Sequence, residues 1–272
     1  MNKTRPISTD STVWTPEALD RPHDEADKAQ RVNTMFAAIA ESYDLNNRVH
    51  SLWRDQAWRR KGVTLARVKP GTDDIVDVAC GTGDLSLAFA RAHPASVTGI
   101  DFVPKMVELA TAKGARAQPD LDTTSIHFMV GDAMNLPLAD ACADVVSIAF
   151  GIRNVSDPDQ ALSEFRRILR PGGRLLILEF GLPSNPVLRG LYNFYFNRIM
   201  PWTATLISRD RTGAYKYLPR SVNTFIPKDE MLARMANAGF GQCACHPLTF
   251  GVCLAYLGAV SGNPRSQPAD NV

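Results

Sequence analysis

The chain has 272 residues, is 45% hydrophobic and carries a formal net charge of +2. That is enough chain to bury a full core, most simply as one α/β domain with additions. The near-neutral balance argues against a nucleic-acid-binding surface, and no apolar stretch is long and uncharged enough to span a bilayer.

Residues 1–28 are rich in Pro, Thr, Asp and Glu and lack regular apolar spacing, so they are expected to form a mobile arm. The opening MNKTRPISTDSTVW is polar and has no signal-peptide core, which predicts a cytoplasmic protein. From about Ala29, Val32, Met35, Phe36 and Ile39 recur at helical spacing, and a second helix is expected from about Asn47 to Arg67. DDIVDVA then reads as a buried strand and DLSLAFARA as a helix. SVTGID and KMVELATAKGA repeat that pair, and SIHFMV and ADVVSIAF are further strands. DPDQALSEFRRILR is an amphipathic helix with Asp157 near its N-cap and PGG closing it, and RLLILEF is the next strand. An aromatic-rich insertion occupies about 182–217. The helix KDEMLARMANAGF and the short strands GQCACHPL and VCLAYLG complete a domain over 29–261, followed by a tail at 262–272. Strands alternating with helices predict a mostly parallel sheet covered on both faces.

The five cysteines, Cys80, Cys142, Cys243, Cys245 and Cys253, fit neither a disulfide framework nor a zinc pattern, so reduced thiols and no metal are expected.

The turn VDVACGTGD, residues 76–84, carries the first chemical signal. In a doubly wound sheet the first strand-to-helix turn lies at the edge where ligands bind. A dinucleotide fingerprint requires three glycines, but Gly81 and Gly83 are followed by Ser86, and Asp84 sets a negative charge where a diphosphate would lie. S-adenosylmethionine, cationic and without phosphate, fits better. Asp77 ends the first strand and suits the amino-acid end of that cofactor. Asp101 ends the second strand and suits the ribose hydroxyls. Asp132, in GDAMNLP, follows the third strand and suits the adenine amino group. Each acid alone is equally well a cap or loop carboxylate; the set in this order is the signal. A nicotinamide-dependent oxidoreductase is the contrasting enzyme class, and a non-catalytic module that kept the fold is a third.

FAAIAESYDLNN, SLW, Trp58-Arg59, DVACGTGDL, GDAMNLP, AFGIRNVSD and RRILRPGGRLLILEF occur in order across about residues 30–260. In these runs the chain resembles the ubiquinone/menaquinone biosynthesis C-methyltransferases of the UbiE type. FYFNRIMP and PLTFGV look closer to the demethylmenaquinone branch. The resemblance implies the Rossmann-like class I methyltransferase fold, a seven-stranded mostly parallel sheet with helices on both faces and an N-terminal helical lid. It implies S-adenosylmethionine as cofactor and methylation of a ring carbon of 2-demethylmenaquinol to give menaquinol, with the C-methylation of ubiquinone biosynthesis as a second activity. Methylation of another small aromatic is the nearer alternative. The family's cofactor positions carry over to Thr82, Asp101, Asp132 and Ala133. Two departures stand out: Ala149 replaces a frequent Ser, and Tyr256-Leu257-Gly258 stands where the family usually shows a His followed by Gly.

Methyl transfer to a quinol carbon requires a positioned ring and a stabilised phenolate. Arg153, in GIRN, follows the fourth strand and offers a fixed charge for a phenolate oxygen, or pairs with an acid to brace a loop. Asn154 offers a hydrogen bond to the second ring oxygen, or turns the chain. Tyr43 and Asp44 end a helix expected to close over the cleft. Tyr43 contacts substrate or cofactor, or packs in the core. His50, His127 and His246 are possible bases without a supporting motif. In VLRGLYNFYFNRIMPWTATLI, residues 187–207, Arg189, Asn193 and Asn197 share one helical face and Leu191, Tyr195, Ile199 and Trp202 lie around the other. That pattern suits peripheral membrane contact or a channel for a prenyl tail, and equally a helix packed on the sheet or in a homo-oligomer interface.

Overall fold

The computed structural model describes residues 13–117, 125–208, 210 and 212–262. The first twelve residues of the expected arm and the tail beyond residue 262 lie outside the described residues.

Seven strands form one sheet: β1 (Asp74–Val78), β2 (Ser96–Asp101), β3 (Ser125–Val130), β4 (Ala143–Ala149), β5 (Leu169–Phe180), β6 (Gly241–Leu248) and β7 (Cys253–Ala259). The order is β3-β2-β1-β4-β5-β7-β6. β1 to β5 run parallel, and β7 runs antiparallel to both β5 and β6. The strand order reverses between β1 and β4, which opens a crevice at their C-terminal ends.

The apolar runs of the central strands are explained by two covered faces. On one, helices α6 (Pro158–Ile168) and α10 (Lys228–Asn237) bring Leu162, Phe165, Met231 and Met235 onto Val76, Val78, Val146, Ile148 and Ile177. On the other, α3 (Arg54–Ala66) and α4 (Asp84–Ala90) bring Trp58, Leu85, Leu87 and Phe89 onto Ile75, Val97, Val145 and Leu178. Alternation along a strand places Asp77 on this second face with Ile75. Its register partner Ser147 on β4 faces the same way.

A third cluster caps the C-terminal edge of the sheet. It joins α1 (Pro16–Asp20), α2 (Lys28–Ser51), α8 (Met200–Ser208) and α9 (Ala214–Asn223) around Trp14, Met35, Ile39, Phe196, Met200, Tyr215 and Tyr217. Helix α5 (Pro104–Ala117) also packs against α2. α7 (Pro186–Phe194) leads into α8 through a π-helical turn over Tyr195–Ile199.

Three expectations are corrected here. Residues 13–28 are folded rather than mobile: Trp14 is 1% exposed and Ala18 and Leu19 are buried with it. Few residues carry that burial, but a single buried Trp is worth about 3–5 kcal/mol against Ala. Second, the first long helix runs unbroken through Tyr43 and Asp44 to Ser51. It ends where Leu52 and Trp53 adopt left-handed φ angles of 51° and 60° and the Trp53 N–H donates to the Arg48 carbonyl at 2.8 Å. Third, the helix at 186–208 is apolar on both sides. Phe196, Met200 and Ala204 face inward, while Val187, Leu191, Phe194, Trp202 and Leu206 are exposed.

Candidate active site

Gly81 and Gly83 hold left-handed φ angles of 56° and 85° in the turn between β1 and α4, conformations an L side chain resists. This brings the backbone against the end of β2. Asp101 accepts the Gly81 N–H at 2.8 Å on one oxygen and the Val103 N–H at 2.9 Å on the other. Burial pushes its carboxyl up from the ordinary value, against those hydrogen bonds. Each oxygen keeps further acceptor capacity. Asp101 lines a cavity of about 790 Å³, open in part to solvent, together with Gly81, Phe102, Val103, Asp132, Ala133 and Met134. Asp132 is fixed by the Met134 N–H at 2.9 Å.

A smaller polar recess of about 310 Å³ continues from this cavity and shares Tyr43, Ala79, Gly81 and Ala149 with it. Asp77, Thr82 and Arg59 line the recess. Asp77 accepts from Ser86 at 2.6 Å and from Ser147 at 2.7 Å. Desolvation raises its carboxyl to about 6 despite both hydroxyls and the nearby Arg59 charge. The recess thus offers the carboxyls of Asp77 and Asp84 and the Arg59 cation, groups able to meet both charges of a zwitterionic amino-acid end. Gly83 lines neither space; a Cβ there would meet the Phe128 ring at 3.0 Å, so its role is the turn itself.

The donor set fits S-adenosylmethionine: an apolar slot with an acid for a ribose diol, a second acid at its rim, and the polar recess. Two carboxylates in the slot oppose a diphosphate. Arg59 is the residue that spacing along the chain did not single out. It lies on α3, held by Asp55 at 2.8 Å with its guanidinium over the Phe150 ring at 5.5 Å.

A network fastens α2 to this turn. Thr82 donates to Asp44 at 2.6 Å, and Lys113 reaches Asp44 at 2.5 Å and Asp84 at 2.9 Å. Arg48 bridges Asp55 at 2.5 Å and Asp84 at 2.7 Å. Burial alone would raise Asp84, but Arg59, Lys113 and Arg48 hold it at about 2.

A further cavity, of about 980 Å³, lies beyond α2. It is mostly aromatic and apolar, with Met35, Trp58, Phe180, Tyr192, Phe196 and Tyr217 among its walls. Phe36, Tyr43 and Phe150 line both this cavity and the slot, so the two meet at those three rings. Four buried polar atoms have no hydrogen-bond partner and belong to residues that line it: Asn46 Oδ1, Arg153 Nε, Tyr192 OH and Tyr215 OH. Buried polar groups are normally paired, so these atoms could serve a polar ligand in the cavity.

Arg153 takes the bracing role its position allowed. It pairs with Glu179 at 2.7 Å and donates to the Phe150 carbonyl at 2.6 Å, while Nε stays unpaired. Asn154 lies in the 3-10 turn Ile152–Asn154, with its N–H on the Gly151 carbonyl. It lines the slot, and its amide is engaged internally: Oδ1 accepts the Tyr217 hydroxyl at 2.9 Å, and Nδ2 donates to the Phe150 carbonyl at 3.4 Å. Tyr43 stands at the junction, and burial raises its phenol. Of the three histidines considered as bases, only His50 lines a described cavity. Tyr256 is 3% exposed in the α6/α10 core and lines none of the three spaces.

The family model described as the ubiE/COQ5 methyltransferase family matches residues 24–260. The chain belongs to this family. The ubiquinone/menaquinone biosynthesis C-methyltransferase UbiE of Geotalea daltonii is 42% identical, over 85% of this chain and 97% of its own length. The demethylmenaquinone methyltransferase of Deinococcus radiodurans is 42% identical, over 86% of this chain and 95% of its own. The ubiE/COQ5 sheet is also the fold of a solved SAM-dependent methyltransferase from Thermotoga maritima, a possible histamine N-methyltransferase. That structure has a TM-score of 0.56 and 19% identity, covering 83% of this chain and 98% of its own. The seven-stranded methyltransferase fold expected for the chain is the one observed.

Proposed function

We propose that the chain methylates a ring carbon of 2-demethylmenaquinol, giving menaquinol, with S-adenosylmethionine as donor. The observation that carries this reading is the meeting of two cavities at Phe36, Tyr43 and Phe150, one with the acids of a nucleoside site and one lined by aromatics. The printed activities of relatives 42% identical over most of the chain support the choice of substrate.

S-adenosylmethionine supplies an electrophilic methyl group. Asp101, Asp132 and Ala133 would hold its nucleoside, and Asp77, Thr82 and Arg59 its amino-acid end. In the acceptor cavity the unpaired Nε of Arg153 would take the quinol oxygen ortho to the reacting carbon. A guanidinium keeps its charge, so it stabilises a phenolate without acting as the base. Glu179 holds that guanidinium in place. Asn46, Tyr192 and Tyr215 are the remaining groups able to satisfy ring oxygens. The aromatic walls would limit the water that reaches the transfer.

The same reading includes a peripheral membrane contact. A prenylated quinol resides in lipid, and Val187, Leu191, Phe194, Trp202 and Leu206 present apolar side chains outward beside the acceptor cavity's Tyr192, Phe196 and Met200. No acid occurs between Glu179 and Asp210, whereas Arg189, Arg198 and Arg209 do. No described helix is long and apolar enough to cross a membrane.

The test is an assay with labelled S-adenosylmethionine and three acceptors: reduced demethylmenaquinone, a reduced ubiquinone precursor and a tail-free naphthoquinol. Label on the ring carbon of demethylmenaquinol supports the proposal. Label on none of them, with the cofactor still bound, removes the quinol assignment.

A further inference from the structure

Residues 13–22 lie upstream of the family match, which begins at residue 24. They nevertheless pack against the walls of the aromatic cavity. The N–H groups of Val13 and Trp14 both donate to the Thr212 carbonyl, at 3.1 and 3.0 Å, which ties this segment to the start of α9. Gly213 allows the approach: its φ is +87°, and a Cβ there would meet the Trp14 carbonyl oxygen at 3.2 Å. The Trp14 indole stacks on the Tyr217 ring with centroids 4.2 Å apart and planes 24° apart. Its Nε1 donates to the Met35 Sδ at 3.1 Å. Both Met35 and Tyr217 are walls of the acceptor cavity. The Tyr217 hydroxyl then donates to Asn154, next to Arg153, on the wall of the nucleoside slot.

One unbroken series of contacts therefore runs from Trp14 through Tyr217 to the loop that carries Arg153. Stacked aromatic pairs have a defined geometry, so the indole sets where the Tyr217 ring lies. Removing it leaves a void that Tyr217 can relax into, withdrawing its hydroxyl from Asn154.

We propose that Trp14 is a positioning residue for methyl transfer. It holds the rear wall of the acceptor cavity and, through Tyr217, the orientation of the Arg153-Asn154 loop. It touches neither ligand. The proposal rests on reading the aromatic cavity as the acceptor site.

The test uses the full chain carrying Trp14→Ala, Trp14→Phe, Tyr217→Phe, or Trp14→Ala with Tyr217→Phe. Acceptor kcat and KM, S-adenosylmethionine Kd and Tm are measured for each. Binding of the tail-free naphthoquinone menadione is followed by fluorescence quenching, which needs no turnover. Small misplacements of reacting groups cost up to about a hundredfold in rate, so Trp14→Ala is expected to lower acceptor kcat/KM about tenfold and weaken menadione. The cofactor Kd should stay within about twofold, because no ligand contact in the slot is lost. Trp14→Phe, which keeps a stacked ring, should recover most of the loss. Tyr217→Phe should reduce kcat/KM with little change in Tm, and the double variant should be no worse than Trp14→Ala, since the two act in series.

A Trp14→Ala chain that only melts earlier, with kcat/KM intact, overturns the proposal. If Trp14→Ala does not fold, an unchanged kcat/KM in Tyr217→Phe overturns it instead. A wild-type chain that neither methylates a quinol nor binds menadione overturns the acceptor reading and this proposal with it. Active wild type with indifferent variants overturns the role of Trp14 alone.

Discussion

The Thr82 hydroxyl, on the glycine turn, donates to the Asp44 carboxylate on α2 at 2.6 Å. It joins the element that shapes the cofactor slot to the helix that covers it. Lys113 completes the joint by contacting both residues. Charge-assisted hydrogen bonds contribute about 1.5–3 kcal/mol each. Asp44→Asn or Thr82→Val is therefore expected to weaken S-adenosylmethionine binding by roughly tenfold or more. Calorimetric titration measures this directly. An unchanged Kd in both variants would mean that α2 is held without this joint.

Asp77 predicts a pH dependence. Its carboxyl is raised to about 6, chiefly by desolvation. Only the ionised form attracts an ammonium group, so protons compete with the cofactor as pH falls through about 6. Affinity is then expected to be full well above that value and to drop by up to tenfold per unit below it. Asp77→Asn should bind more weakly at neutral pH and show a flat profile. For folding the sign is opposite: burying this carboxylate opposes stability above the unfolded value, and protonation near 6 relieves the cost. A wild-type Kd that does not change between pH 5 and 7.5 would take Asp77 out of the binding site.

Arg153 predicts a separation of binding from turnover. Arg153→Lys keeps a charge near Glu179 but removes Nε, a buried donor left unpaired. Loss of a donor aimed at a developing oxyanion typically costs about a hundredfold or more in kcat. The cofactor Kd should be unaffected, because Arg153 lines the acceptor cavity and not the slot. Wild-type turnover in this variant would leave Arg153 with only its role of bracing the loop against Glu179.

The outward apolar face predicts lipid dependence. Phe194, Trp202 and Leu206 are each more than 60% exposed, so replacing them with Ser should alter stability little. Co-sedimentation with vesicles containing anionic lipid should fall strongly in the triple variant, while turnover of a tail-free naphthoquinol stays near wild type. Equal sedimentation of both chains would remove this face from any lipid contact.

Most of the sheet was legible because the pattern was local. Buried runs such as Asp74–Val78 and Ala143–Ala149 punctuated by glycine and proline leave few alternatives. The acids at the ends of β1 and β2 and after β3 were legible because strand ends in such a sheet converge on one edge. Arg59 was named only within the Trp58-Arg59 run; its place in the recess was hidden because α3 packs across the sheet, which no spacing along the chain encodes. Asn46, Tyr192 and Tyr215 were hidden for a related reason, since the insertion folds back over α2. Trp14 was masked by the polar residues around it. The Asn154 contact was not legible because its partner, Tyr217, is 63 residues away in the chain.

Phe36 and Tyr43 sit on a single helix and line both cavities. The two cavities consequently share one wall, so a displacement of α2 would open both spaces together and its seating would close both together.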